Sequence, residues 1–400
     1  MGVGRQIGRR GAGGGVSASG GQPPIVYGET SLDYDFGAEH PLTPRRFAPS
    51  IDLLRTLGAE RFVEPRLASD AELERLHSAE YVAVVKAMGT DPWHPPVAGI
   101  GPGDCPPFAG MHEASARVAG GSLAAVDSIL SGEAEHAFHP GGGLHHALAG
   151  RASGFCIYND VALAVARARD AGHRVLYVDL DVHHGDGTQA LFWDDPQVLT
   201  FSIHETGESL FPGTGFVSET GGAGAPGTAV NVPLQPYSGE ASWLPIVEEV
   251  VPALAELFRP TFLVSQHGCD SHAYDPLAHL RLTTAAYRAA SLLLDEVAHR
   301  WCEGRWLATG GGGYDAYRVV PRAWSLVWLA QAHRDVPLES DPGWRERWAD
   351  QAAAYGQSPP PVRIIDPADL VADDPPEMVA ANARTAERAL RQAAELMEVG

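Results

Sequence analysis

The sequence predicts a single α/β domain with a mostly parallel central sheet flanked by helices. Three observations carry that expectation. Short apolar runs rich in β-formers recur at 174–178, 198–203, 228–234, 261–265 and 305–308. Helical patterns of crossover length separate several of them, at about 240–258, 283–303 and 316–332, and such alternation marks parallel strands joined across their faces. Polar, chemically capable residues follow directly on the predicted strands, which is where open α/β sheets bind ligands.

Taken in order, residues 1–23 are Gly/Ser-rich and are expected to be disordered. Arg9-Arg10 precedes glycines rather than an apolar stretch, which argues against a twin-arginine export signal. The domain is expected to span 24–335. It opens with a strand at 24–27, then a loop holding His40-Pro41, then helical periodicity at 47–57 and 70–88. The stretch from Asp91 to Pro107 is rich in Gly and Pro, so it reads as a long loop, the kind that is often functional. A helix of small residues at 112–130, a strand at 135–138 and a glycine loop ending in Leu144-His145-His146 come next. An Ala/Val-rich helix at 157–171 leads to the strand at 174–178. Residues 336–400 change character, with a triple proline at 359–361 and a final helix at about 376–397. They read as a helical extension in which no chemistry is visible.

The bulk composition excludes several classes. Of 400 residues 44% are hydrophobic, enough for a sizeable core. The 29 basic and 50 acidic residues leave a net charge of −21. That disfavours nucleic acid or an anionic membrane as partner and suits a basic one, such as a lysine-containing segment. Cys105, Cys156, Cys269 and Cys302 form no CxxC pair, which fits a reducing, cytoplasmic setting without a disulfide framework. No apolar run is long enough to span a membrane.

The chemistry centres on Asp179-Leu180-Asp181-Val182-His183-His184-Gly185-Asp186-Gly187, at the end of a strand expected to be buried. Residues two apart on a strand share a face, so Asp179 and Asp181 are placed together, with His183 extending that face. A buried carboxylate without a partner costs several kcal/mol, roughly, so the default reading is a metal site. Asp181 and His183 with distant Asp270 would supply three ligands and leave a position open, the pattern of a catalytic zinc site, although iron or another divalent metal suits the same donors. His145 and His146 are candidates for general base and acid, with Asp179 and Asp186 free to orient them. Tyr314, at the end of Gly310-Gly311-Gly312-Gly313, could place a phenol beside a developing oxyanion.

Five motifs in this order resemble the class I type of the histone deacetylase superfamily: Gly-Gly-Leu-His-His, Ala-Ser-Gly-Phe-Cys at 152–156, the Asp-Leu-Asp-Val-His-His-Gly-Asp-Gly run, Phe-Pro-Gly-Thr-Gly at 211–215, and Gly-Gly-Gly-Gly-Tyr. The segments around Gln266–His272 and Asp275–Leu280 are most similar to the bacterial acetoin-utilisation deacetylases. The resemblance implies the arginase/deacetylase fold, zinc held by Asp181, His183 and Asp270, and the histidine pair His145/His146 partnered by Asp179 and Asp186. It further implies Tyr314 as transition-state tyrosine, Asp104 as a rim residue gripping substrate amides, and Gly154, Phe155 and Phe211 lining an acyl-lysine tunnel. A structural potassium ion near Asp179, Asp181, His183, Ser202 and Ile203 is implied as well. The arginase-like enzymes of this fold need a second metal, but the positions that would hold it read Gly185 and His272, so a mononuclear site is expected.

The expected reaction is hydrolysis of an acetyl or short acyl group from a lysine ε-amine. His146 takes the proton of the activated water with His145 as electrostatic support, and the sequence leaves open which histidine is base and which acid. The expected substrate is an acetylated protein such as an acyl-CoA synthetase. Two alternatives are a deacetylase of acetylpolyamines and a silent acyl-lysine binder, the latter disfavoured because no ligand, histidine or tyrosine is missing. Plainer roles are expected elsewhere: His184 faces away from the ligands, and His204, His267, His272 and His279 serve packing or hydrogen bonding. Gly222–Gly227 fits a dinucleotide pattern in the wrong context, and Cys156 and Cys269 are structural.

Overall fold

In a computed structural model that describes residues 21–91 and 94–399, the chain builds one eight-stranded sheet covered by helices on both faces. The expected disorder of 1–23 falls mainly outside the described residues. The strands are β1 (Ile25–Val26), β2 (Phe62–Val63), β3 (His136–His139), β4 (Val175–Asp179), β5 (Val198–Glu205), β6 (Ala229–Leu234), β7 (Phe262–Gln266) and β8 (Trp306–Thr309). Their order is β2-β1-β3-β8-β7-β4-β5-β6, and every pairing is parallel. The expected α/β class with a parallel sheet is what forms; β2, a two-residue edge strand, carries too short a pattern to be read from sequence.

Apolar runs without alternation suit strands buried on both faces. Val175 and Tyr177 of β4 pack with Val126 and Ile129 of α4 (Met111–Leu130) and Val161 and Val165 of α5 (Asp160–Asp170). Leu176 and Val178 point the other way, into the cluster formed by α1 (Phe47–Thr56), α7 (Glu240–Phe258), α8 (Thr284–Trp301) and α9 (Val320–Gln331). The periodicity at 70–88 resolves into two helices, α2 (Asp70–Leu73) and α3 (Ala79–Thr90), rather than one. Local caps explain the break: Ser69 and Glu72 form a reciprocal capping box, and Ser78 accepts the N–H of Tyr81 to start the second helix.

The register fixes what the site inherits. His139, Thr309, Gln266, Asp179 and Ser202 lie opposite one another across five neighbouring strands, and the first four are the last residues of β3, β8, β7 and β4. The loops leaving that row carry 141–146, 310–314, 267–270 and 180–183. Asp181 is therefore not on the strand: β4 stops at Asp179, and Asp181 is fixed by its backbone N–H donating to Asp179 Oδ1 at 3.2 Å.

Residues beyond 336 include α10 (Pro342–Ala354) and α11 (Pro376–Val399), which return to the domain. Trp344 is fully buried and donates its indole N–H to Pro49 O at 2.8 Å. Asp366 accepts from the wholly buried Arg322 at 2.7 Å and from Thr284, and contacts His272 Nε2 at 3.0 Å. Burial opposes ionisation of Asp366, but the bonds from His272 and Arg322 outweigh it and hold the carboxyl below its usual range.

Asp366→Ala strands a buried guanidinium, so it should cost about 3–5 kcal/mol of stability, read from denaturant unfolding at neutral pH. Because the folded-state pKa is depressed, this contribution exists above the ordinary carboxylate pKa and fades as pH falls through the folded value. The gap between parent and variant should therefore narrow in acid below about pH 4.

Candidate active site

The glycine loop after β3 is held from below by a residue the sequence did not single out. The buried Asp160 carboxylate accepts the N–H groups of Gly143 (3.1 Å) and Leu144 (2.8 Å) and the Ser122 hydroxyl (2.5 Å). Asn159 Nδ2 donates to the carbonyls of His145 and Ala147, both at 3.1 Å. With the backbone pinned, the tandem histidines point into the same space. His145 Nδ1 meets Asp179 Oδ2 at 2.7 Å, His146 Nδ1 meets Asp186 Oδ1 at 2.7 Å, and the two Nε2 atoms face each other at 3.1 Å. Each Nδ1–H is committed to a carboxylate, so one proton must lie between the two Nε2 atoms for that approach to be attractive. The protein's own charges put it on His145: burial opposes its charge, yet Asp179 and Asp181 outweigh this and raise its pKa to about 9. His146, lowered by burial and by the neighbouring His145 to about 4, stays neutral, with an unprotonated Nε2 that faces the His145 N–H.

Asp181, His183 and Asp270 converge beside this pair. His183 Nδ1 lies 3.1 Å from Asp181 Oδ1 and 3.0 Å from Asp270 Oδ2, and the three donor atoms are mutually within 4.8 Å. Remaining acceptors are satisfied: Asp181 Oδ2 receives Gln266 Nε2 (2.7 Å) and Gly312 N–H (2.9 Å), and Asp270 Oδ1 receives Val182 N–H (3.1 Å). Burial and repulsion from Asp181 push Asp270 up to about 6, while His183, between the two carboxylates, is raised to about 10. A divalent cation fits this donor set and removes the repulsion. The second-metal positions do not supply carboxylates. A side chain at Gly185 would begin 2.2 Å from Asp179 Oδ2, and His272 is turned onto Asp366.

The mouth of the site is aromatic. Phe155 stands edge-on to Tyr314 with ring centroids 6.0 Å apart, and Phe211, 41% exposed, stands edge-on to His146 at 5.0 Å. Gly154 lies between them; a Cβ there would come within 2.4 Å of His146 and 2.8 Å of Phe211. Asp104 is exposed on its loop and connects to this wall through His40, whose Nε2–H donates to Asp104 O at 3.2 Å while its ring packs on Phe155 at 4.6 Å. The pocket reaching down to Asp181, His183 and Tyr314 encloses about 290 Å³, its open mouth included. Burial, with Asp270 and Asp181 nearby, keeps the Tyr314 hydroxyl well above the usual phenol range, so it stays a proton donor.

All the sequence-derived candidates except Asp104 therefore gather around one pocket. Four supports escaped the sequence reading besides Asp160 and Asn159. Gln266 braces Asp181. Asp275 accepts the N–H of Tyr314 at 2.9 Å. Buried Arg46 donates to Gly311 O at 2.6 Å, and Gln357, from the extension, donates to Tyr314 O at 3.0 Å. The other histidines weighed near the motifs are occupied elsewhere: His184 with Thr214 and Gln189, His204 with Ser202 and Gly215, His267 with Ser265, His279 with Glu205. The four cysteines are free and buried.

Comparison with known proteins agrees with the motif resemblance. Residues 40–331 match the family described as "Histone deacetylase domain". The chain is 43% identical to the "Acetoin utilization protein AcuC" of Bacillus subtilis (strain 168), over 92% of this chain and 96% of that protein. It is 38% identical to the protein of the same name from Staphylococcus xylosus, over 85% and 90% of the two chains, and 39% identical to that of Staphylococcus aureus (strain MSSA476), over 84% and 91%.

Gly312 offers a sharp test of the ligand cluster. A Cβ at this position would sit 1.9 Å from Asp270 Oδ2 and 3.0 Å from Asp181 Oδ2. Gly312→Ala should thus displace a ligand carboxylate and weaken metal affinity by about 10–100-fold, as disturbed metal surroundings do, with little change in the far-ultraviolet circular dichroism. Metal titration monitored by calorimetry checks it.

Proposed function

The chain belongs to the histone deacetylase family, and from that premise we propose that it hydrolyses acetyl, or similarly short acyl, groups from lysine ε-amines of proteins. The observation that carries the reading is the aromatic-walled pocket whose floor brings together three metal-ligating atoms, a lone-pair-bearing His146 and the Tyr314 phenol. An extended acyl-lysine stem suits such walls, and only its amide reaches the polar floor.

A zinc ion, or another divalent cation, held by Asp181, His183 and Asp270 supplies a Lewis acid for the acyl carbonyl and lowers the pKa of water to about 7. His146 Nε2 accepts the proton of the water that attacks the carbonyl carbon, and Asp186 holds the ring in place for this. Tyr314 donates its hydroxyl to the oxygen that becomes negative. As the C–N bond breaks, the proton on His146 passes to the leaving lysine nitrogen, and acetate remains. His145, charged and anchored to Asp179, stabilises the negative charge without leaving its partner. The proposal includes a potassium ion beside Asp179, Asp181, His183, Ser202 and Ile203, where β4 and β5 place Asp179 opposite Ser202.

Exposed Asp104, one His40 ring away from the Phe155 wall, supports a peptide substrate, since its carboxylate is available to backbone amides. The relatives' names concern acetoin utilization, and we extend to this chain an acetylated metabolic enzyme, such as an acyl-CoA synthetase, as target.

Tyr314→Phe should lower kcat on an acetyl-lysine peptide by about 10²–10³-fold while metal content and melting temperature hold; near-parent turnover would remove the oxyanion role. In a kinetic panel of acyl-lysine peptides and N-acetylpolyamines, kcat/KM should be higher for the peptides, and the reverse order would select the small-molecule reading.

A further inference from the structure

Three histidines and an aspartate unrelated to the pocket converge at the opposite edge of the sheet. His136 opens β3, three residues before the row at the carboxyl ends, which at about 3.3 Å per residue places it roughly 10 Å away along the strand. Asp295 and His299 are one turn apart near the end of α8. His333 follows α9, in a turn where its N–H bonds Ala330 O and that of Arg334 bonds Leu329 O. This turn gives His333 a left-handed φ of +51°, a conformation usually left to glycine. The three rings surround one carboxylate, with centroids 5.0, 5.3 and 5.7 Å apart.

The distances between donor atoms are informative. Asp295 Oδ1 lies 3.3 Å from His136 Nε2, 3.5 Å from His299 Nε2 and 3.2 Å from His333 Nε2, and the last two nitrogens are 3.3 Å apart. A tetrahedral zinc ion with N and O ligands at about 2.0–2.2 Å spaces its donors by about 3.3–3.6 Å; these four of the six spacings fall close to that range, and all six are within 4.8 Å. Hydrogen bonding accounts for the cluster less well. His136, whose side chain is 3% exposed, has no hydrogen bond of good geometry at either ring nitrogen, a costly condition for a buried polar group. Its Nε2 nonetheless lies 3.3 Å from the carboxylate, outside hydrogen-bond geometry.

We propose that His136, Asp295, His299 and His333 form a second metal site, a closed four-ligand site for a divalent transition-metal ion, with zinc the ion its geometry fits. With four protein donors it has no position for substrate, so its role is structural. It ties the ends of α8 and α9 to the first residue of β3, at the amino end of a strand whose carboxyl end leads to the hydrolytic pocket. The site is independent of the deacetylase reading.

The test is zinc stoichiometry of the purified full chain, measured by mass spectrometry after zinc loading and desalting, with thermal unfolding alongside. The unmodified protein should hold about two zinc ions, as two separate ligand sets require. The Asp181→Ala/His183→Ala variant should keep one of them. His299→Ala/His333→Ala, which alters half-exposed surface positions, should also keep one, with acetyl-lysine hydrolysis unchanged and a melting temperature that no longer rises with zinc at the second equivalent. His333→Gly guards against misfolding, because glycine accepts the turn, and it should lose the same zinc. A pocket variant without zinc, or a His299/His333 variant that binds as much as the parent, would overturn the proposal.

Discussion

The mutual repulsion of two buried carboxylates governs this structure. Asp181 and Asp270 approach the same imidazole nitrogen with 1% and 0% exposure, in a setting where unpaired negative charge is costly. Everything nearby is arranged to supply positive charge or hydrogen-bond donors: Gln266, the N–H groups of Gly312 and Val182, and the His183 ring. Even with these donors Asp270 is harder to ionise than an ordinary carboxyl, because of burial and its neighbour Asp181. A cation completes the cluster, and the proposed hydrolysis uses the field that results.

The sheet makes this arrangement possible by register. Four adjacent strands, β3, β8, β7 and β4, end on one row, so four loops leave the sheet at the same height and bring together histidines, carboxylates and a phenol. Glycine is needed where these loops touch, since even a methyl at 312 would collide with Asp270. The histidine pair then gains its asymmetry from its surroundings. Both rings lean on carboxylates, but His145 also feels Asp181, whereas His146 faces its charged neighbour.

The groups at the pocket were legible in the sequence because their chemistry is concentrated in short runs directly after strands: 145–146, 179–186 and 310–314. What the sequence concealed is support from a distance. Asp160 looked like part of a helix start, yet it holds the glycine loop. Gln357 lies in a segment without recognisable chemistry, yet it reaches the Tyr314 backbone. The break at 74–78 was hidden because apolar spacing continues through it, and only serine caps mark it. His136, Asp295, His299 and His333 gave no signal, being separated by up to about two hundred positions and brought together only by the parallel topology. No helix among the described residues is long and apolar enough to cross a membrane.

The central claim is that the cation completing the Asp181–His183–Asp270 cluster makes hydrolysis possible. The most direct measurement is acetate release from an acetyl-lysine peptide by enzyme stripped with a chelator and then reloaded stepwise with zinc. The account predicts loss of turnover on stripping and its return as zinc is restored. Undiminished acetate release by protein shown to be free of metal would contradict it.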